Sequence, residues 1–314
     1  MQEVIKEIIA RRLGKILVNE KISNYTTYKV GGKARAIVYP KGENELKDLV
    51  GLLKEKNIKY FVLGNGSNVL FSDKLYDGII IKLDNFNKME IHDNIIEVEA
   101  GYPLIKLANE AIKNSLAGLE FGSGIPGTIG GAIFMNAGAY GEEMSKIVRK
   151  VRILTSDLKI IELNNQEMEF SYRTSLLQKH LDYICLSATL ELTYGNKEEL
   201  QELVVKRRMV RKDSQPLTYP SAGSVFRNPP GMYAGKLIED MGLKGFSIGK
   251  AEVSTKHANF IINKGNAKAS DIKRIIDIIK EKANIKYGIK LRVEQRLINW
   301  VGVSNEEEEN EEES

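Results

Sequence analysis

Glycine is the residue type whose spacing in this chain first points to chemistry. Seven of the twenty residues 122–141, Gly-Ser-Gly-Ile-Pro-Gly-Thr-Ile-Gly-Gly-Ala-Ile-Phe-Met-Asn-Ala-Gly-Ala-Tyr-Gly, are Gly, out of 27 in 314 residues. Glycine reaches positive φ without a Cβ penalty and lets backbone approach a ligand closely. Interleaved with apolar residues, the run describes a buried loop wrapped on something; a linker of this density would be Ser-rich and polar. Gly122, Gly124 and Gly127 match a dinucleotide fingerprint, with Glu142 about twenty residues on, but that fingerprint must open a helix. Pro126 and the Gly130-Gly131 pair argue against a regular helix immediately after it. The spacing fits instead a nest, in which successive backbone N–H groups form an anion-binding concavity. Gly64-Asn65-Gly66-Ser67-Asn68 is a second candidate nest, though taken alone it reads better as a tight turn. Two such loops suit the two ends of one long cofactor.

Other chemistries find little support. His92, His180 and His257 are scattered and show no metal-ligand spacing. The one cysteine, Cys185, sits in an apolar run and reads as a small buried hydrophobe. No apolar stretch approaches a membrane span, and the N-terminus lacks the basic-then-apolar order of a signal peptide, so a cytoplasmic protein is expected. The net charge is +4, but residues 304–314 hold seven Glu and no base. Without those seven, 46 Lys and Arg face 35 Asp and Glu. The bases are dispersed, which favours an anionic small-molecule substrate over nucleic acid, and the acidic tail reads as disordered.

The elements that must position these loops follow from apolar periodicity. Residues 1–17 read as an amphipathic helix and 35–39 as a strand. Leu46, Leu49, Val50 and Leu53 mark a helix over 43–56, and 60–63 is a strand running into the short loop. Short strands are expected at 79–83, 95–99, 148–155, 159–163 and 183–192, with a helix at 103–114. Asn196 reads as the cap of a helix through Arg208, with Glu199 placed for a capping box. Residues 220–229 read as loop, strand, loop, and 233–241 as a short helix. Strands are also expected within 256–263 and 289–300. Ser270 reads as the cap of a helix with Ile272, Ile275, Ile276 and Ile279 on one face. The fold class is α+β. Its expected parts are residues 1–78 and 79–205, a third part over 206–303, and the tail 304–314.

Leu63-Gly-Asn-Gly-Ser-Asn-Val-Leu70 together with 122–141 resembles the two-subdomain FAD-binding fold of vanillyl-alcohol-oxidase-type flavoenzymes. Phe170-Ser-Tyr-Arg-Thr-Ser175, Tyr219-Pro-Ser-Ala-Gly-Ser-Val-Phe-Arg-Asn-Pro229 and Lys256-His-Ala-Asn-Phe-Ile-Ile-Asn263 narrow the likeness. The chain resembles the UDP-N-acetylenolpyruvoylglucosamine reductase (UDP-N-acetylmuramate dehydrogenase) family from about Tyr25 to Ile298, in its compact subtype without a substrate-covering insertion. The resemblance implies two FAD-binding subdomains, 1–78 and 79–205, and a small α+β substrate-binding domain, 206–303. It implies noncovalent FAD, NADPH as co-substrate, and reduction of UDP-N-acetylglucosamine enolpyruvate to UDP-N-acetylmuramate by a monomer, with hydride from flavin N5 to C3 and a proton to C2.

Carried over position by position, Arg173 would bind the substrate carboxylate and stabilise its enediolate form, Ser224 would protonate C2, and Glu294 would polarise the carboxylate from the opposite side. Gly64, Asn65, Gly66, Ser67 and Asn68 of the short loop would hold FAD, with Gly122, Ser123, Gly124, Pro126, Gly127, Thr128, Gly130, Gly131, Asn136, Gly138 and Ala139 of the long one. Tyr172, Lys212 and Asn228 match substrate-contacting positions; Arg207 and Arg211 are further candidates for the diphosphate, and His257 could line the pocket. One motif departs: the family's Leu-Glu-Pro-Glu-Val-Arg is Leu291-Arg-Val-Glu-Gln-Arg296 here, so Glu294 rests on the alignment register. A flavin oxidase or dehydrogenase of another substrate on the same FAD fold is the alternative.

Overall fold

The structure is a computed structural model that describes residues 1–301. The expected tail lies outside the described residues. The chain divides into two compact units, each built from three separate stretches. The first comprises Met1–Asn19, Arg35–Asn65 and Asp77–Val210. The second comprises Glu20–Ala34, Gly66–Tyr76 and the chain from Arg211 onward. No helix among the described residues is long and apolar enough to cross a membrane.

Two larger sheets and two two-stranded ones lie in the first unit. One larger sheet has the order Lys15–Val18, Ala34–Tyr39, Tyr76–Ile81, Tyr60–Val62, and its last pair is parallel. The helix Glu43–Glu55 buries Leu46, Leu49, Val50 and Leu53, as their spacing requires. The other larger sheet has the order Ile160–Asn164, Val148–Leu154, Ile184–Glu191, Ile95–Glu99, Met89–His92, antiparallel throughout. One continuous core, including Leu104, Leu107, Phe121, Ile129 and Ile133, joins the helices to these sheets. Antiparallel pairing leaves no parallel βαβ crossover for the glycine run to open, so a Rossmann site is excluded by topology.

The second unit holds the antiparallel sheet Ser247–Ile248, Ala251–Val253, Ile261–Asn263. The helix Ala269–Tyr287 buries Ile272, Ile275, Ile276 and Ile279. Val69–Phe71 pairs in parallel with Arg296–Ile298, which brings the residues after the short loop beside the last strand.

Several local expectations are corrected. The first helix spans Gln2–Ala10 rather than 1–17. Arg12 and Gly14 have φ of 56° and 120°, which ends the helix, and Lys15–Val18 becomes an edge strand paired with 36–39. The stretch 220–229 forms only an isolated bridge, Phe226 to Val293. Asn196 does cap its helix, accepting from Glu199 N at 3.1 Å, and that helix continues to Ser214. Ser270 is not a cap. The carboxylate of Asp73 accepts from Ala269 N and Ser270 N, both at 2.9 Å. A helix end has several unpaired donors and takes whichever acceptor tertiary structure supplies.

Candidate functional site

The glycine run is more ordered than its composition implies. Gly122, Ser123 and Gly124 lie in the 3-10 turn Glu120–Gly124, where the Ser123 hydroxyl donates to Glu120 O at 2.8 Å. The chain then passes Pro126 and pairs with the start of the helix Leu104–Lys113, Leu104 N donating to Gly127 O at 3.0 Å. Contrary to expectation, a helix follows at once, over Ile129–Phe134. Thr128 caps it, its hydroxyl accepting from Gly131 N at 3.3 Å. The glycine pair lies inside this helix because Gly130 packs hard against a strand end: a Cβ there would stand 3.0 Å from that of Ala100. Close packing outweighs the low helix propensity of glycine. Gly138 and Ala139 then pair with Glu142–Glu143 in a hairpin whose two turn residues, Tyr140 and Gly141, both have positive φ.

The first two residues of the short loop meet the long one. A Cβ on Gly64 would stand 2.7 Å from Thr128 Oγ1, and Asn65 Nδ2 donates to Pro126 O at 3.2 Å. Sequence reading missed Lys82. Its side chain is only 7% exposed, its ammonium donates to Gly64 O at 2.5 Å, and Asp84 pairs with it at 3.1 Å. Among the described residues no backbone carbonyl accepts from the amides of Gly64, Asn65, Gly66 or Ser67, and Gly66 has φ of 64°. Consecutive unspent amides about a positive-φ residue are the elements of a nest. With a buried ammonium behind them, they fit the diphosphate of a dinucleotide cofactor.

Arg173 also belongs to the first unit. It stands on a tight turn closed by mutual hydrogen bonds between Ser171 and Thr174, with φ of 59°. Its guanidinium donates to Gly138 O at 2.8 Å and lies over the ring of Tyr172, 5.0 Å from the centroid. Asn136, expected among the cofactor residues, is fully buried and its side chain is committed internally. It donates to Ser171 O and Glu143 Oε1 and accepts from Ser145 N, at 2.9–3.0 Å. Arg207 stacks on Tyr140, 4.7 Å from the ring centroid, whose hydroxyl donates to the Arg207 carbonyl at 3.2 Å. Its Nη1 is buried without a hydrogen-bond partner among the described residues. Burial pushes the Cys185 thiol up to about 12, which makes it an inert core group.

Ser224 and Glu294 belong to the second unit, on backbone segments hydrogen-bonded to each other. Glu294 N donates to Val225 O at 2.8 Å, and Arg227 N to Arg292 O at 2.9 Å. On its other side the Ser224 segment is gripped by Asn259: Val225 N donates to the Asn259 carbonyl, while the Asn259 side chain accepts from Phe226 N and donates to Phe226 O. Gln295, which occupies a departing position of the motif, is buried and donates to the carbonyls of Ala222 and Gly223 at 3.1 and 3.2 Å. Its own carbonyl accepts from Tyr28, also fully buried. Asn68 of the short loop donates to Glu294 O at 3.1 Å. Asn228 accepts from Ala234 N at 3.1 Å, tying its loop to the helix Ala234–Asp240. Lys212 is exposed, and its carbonyl accepts from Lys256 Nζ at 2.5 Å. His257 is half-buried, its Nδ1 accepting from Asn259 N at 3.2 Å. Among the described residues no group of His, Cys, Asp and Glu could hold a metal ion.

Comparison with known proteins places the chain in the flavoprotein oxidoreductase class. Residues 34–164 match the model of an FAD binding domain, and 215–298 match that of the UDP-N-acetylenolpyruvoylglucosamine reductase C-terminal domain. The chain is 45% identical over 299 residues to the UDP-N-acetylenolpyruvoylglucosamine reductase of Anoxybacillus flavithermus, covering 95% of this chain and 99% of that one. The Bacillus subtilis reductase is 42% identical with the same coverage. The crystal structure of the Thermus caldophilus reductase superposes with a TM-score of 0.77 at 33% identity, covering 90% of this chain and 98% of that one. The chain belongs to the UDP-N-acetylenolpyruvoylglucosamine reductase family, in its short form: FAD- and NADPH-dependent UDP-N-acetylmuramate dehydrogenases of peptidoglycan synthesis.

Proposed function

We propose that Arg173, Ser224 and Glu294 carry the reduction of UDP-N-acetylglucosamine enolpyruvate to UDP-N-acetylmuramate. Bound FAD supplies a hydride carrier between NADPH and the enolpyruvyl double bond. Hydride arriving at C3 leaves negative charge on C2 and its carboxylate. Arg173 holds that carboxylate with a planar, permanently charged fork. Ser224 delivers the proton from Oγ to C2. Glu294 polarises the carboxylate. The observation that carries this reading is the hydrogen bond between Glu294 N and Val225 O, at 2.8 Å, which ties the glutamate's segment to the serine's.

The FAD diphosphate is assigned to the amides of 64–67 and to the loop from Gly122 through Pro126, Gly127 and Thr128 to Gly131. Asn136, Gly138 and Ala139 shape its far end. Tyr172, Lys212 and Asn228 are assigned to the UDP-sugar, and the domain boundaries remain those the family resemblance implies. The protein works as a cytoplasmic monomer.

The test separates the two half-reactions under anaerobic conditions. Ser224→Ala will leave flavin bleaching by NADPH within about twofold of wild type and slow its reoxidation by the enolpyruvyl sugar roughly 100-fold or more, the scale of a lost general acid. Equal loss of both half-reactions would contradict the proton-donor role.

A further inference from the structure

The turn that carries Arg173 is fastened to the glycine run by a side chain with no part in the roles above. Arg173 sits at φ of 59°, a conformation that a non-glycine residue keeps only when its surroundings hold it. Gln178, in the short helix Leu176–Lys179, has its amide nitrogen aimed at two carbonyls. It donates to Arg173 O at 2.8 Å and to Phe134 O at 2.7 Å. Ser175 Oγ donates to the same Phe134 carbonyl at 2.9 Å, at the end of the helix that Thr128 begins. The guanidinium of Arg173 meets the run again at Gly138 O. Both the main chain and the side chain of Arg173 are therefore referenced to residues 134–138.

We propose that Gln178 is a positioning residue for the reaction: it fixes Arg173 relative to the glycine run, so the carboxylate clamp and the cofactor loop are one rigid piece. The chemistry suits glutamine. One nitrogen carrying two hydrogens serves two acceptors without adding charge. A glutamate of the same length would point lone pairs at both carbonyls, and a methionine would take the amide donor away from both. Asn136 also reaches this turn, through Ser171 O, but it is fully buried. Gln178 is only half-buried, so its replacement perturbs the turn more than the core.

The inference rests on the reading of Arg173 as the carboxylate partner, and the experiment separates the two. Gln178→Met, Gln178→Glu, Arg173→Lys and the Gln178→Met/Arg173→Lys double variant are loaded with FAD. Flavin content, reduction by NADPH and reoxidation by the enolpyruvyl sugar are then measured anaerobically. Small misplacement of a catalytic group costs roughly 10- to 100-fold, and both Gln178 variants will show this in reoxidation, with flavin content and reduction within about twofold of wild type. The double variant will be little slower than Arg173→Lys, because Gln178 acts through Arg173. Unchanged reoxidation in both Gln178 variants, beside a slow Arg173→Lys, overturns the inference and leaves the reading of Arg173 standing. Unimpaired Arg173→Lys overturns that reading. Additive losses in the double variant, or loss of flavin itself, would mean that Gln178 merely supports the fold.

Discussion

Lys82 shows how much one buried charge can govern. Its ammonium is almost wholly removed from water, which is tolerable only because Gly64 O and Asp84 receive it. A hydrogen bond from a charged donor is worth about 1.5–3 kcal/mol, and here it sets the first carbonyl of the short loop. Lys82→Met keeps the length and removes the charge. It will weaken FAD binding about tenfold or more, each factor of ten being about 1.4 kcal/mol, as read by titration of flavin fluorescence. An unchanged dissociation constant would mean that Lys82 is only an ion-pair residue. Arg173 and Ser224 are proposed from the sequence because each lies in a matched motif. Lys82, Gln178 and Gln295 carry no such mark, since their importance comes from carbonyls distant in sequence.

Helix ends separate local from distant information. Asn196 caps its own helix three residues away, so its role was readable from spacing. The helix Ala269–Tyr287 is capped by Asp73, nearly two hundred residues earlier, and the nearby Ser270 is a decoy. Asp73→Ala will destabilise the protein by about 1–2 kcal/mol in denaturant unfolding, the upper range for a lost cap, whereas Ser270→Ala will be near neutral. The reverse order would show that Ser270 does the capping in solution. The helix inside the glycine run teaches the same point. Its pair of glycines looked like a breaker, yet Gly130 is what lets the helix approach Ala100.

At the scale of the whole molecule, stability depends on pH through His257. Burial, aided by the Lys244 ammonium, holds its imidazole below the ordinary value. A base whose folded pKa is depressed takes up protons more readily when unfolded, so stability rises with pH between the two values. The contribution is complete above about 6.5, the unfolded value, and is lost as pH falls from there through the folded one. The neutral ring also accepts from Asn259 N, so protonation disturbs the residue that grips the Ser224 segment. His257→Gln will therefore lose less stability than wild type between pH 7.5 and pH 5, measured by denaturant midpoints at each pH. An equal or larger loss would sink this account.

Periodicity alone determined most helices and strands and the α+β class, and matched motifs carried the resemblance that gave the family, because each is encoded within a few dozen consecutive residues. The two compact units are another matter. Each gathers three stretches of chain, so Tyr28 meets Gln295 and Val69–Phe71 meets Arg296–Ile298 only after folding. Such pairings depend on which buried polar groups and strand edges find partners across long separations, and no local pattern records that. Tertiary structure likewise decided that the glycine run is a packed turn, helix and hairpin, and that Arg173 is held by Gln178 and the carbonyl of Gly138. The buried ammonium of Lys82 and the distant cap of Asp73 belong to the same class: an unpaired donor or acceptor is costly wherever it is buried, and the chain satisfies it with whatever the fold brings near.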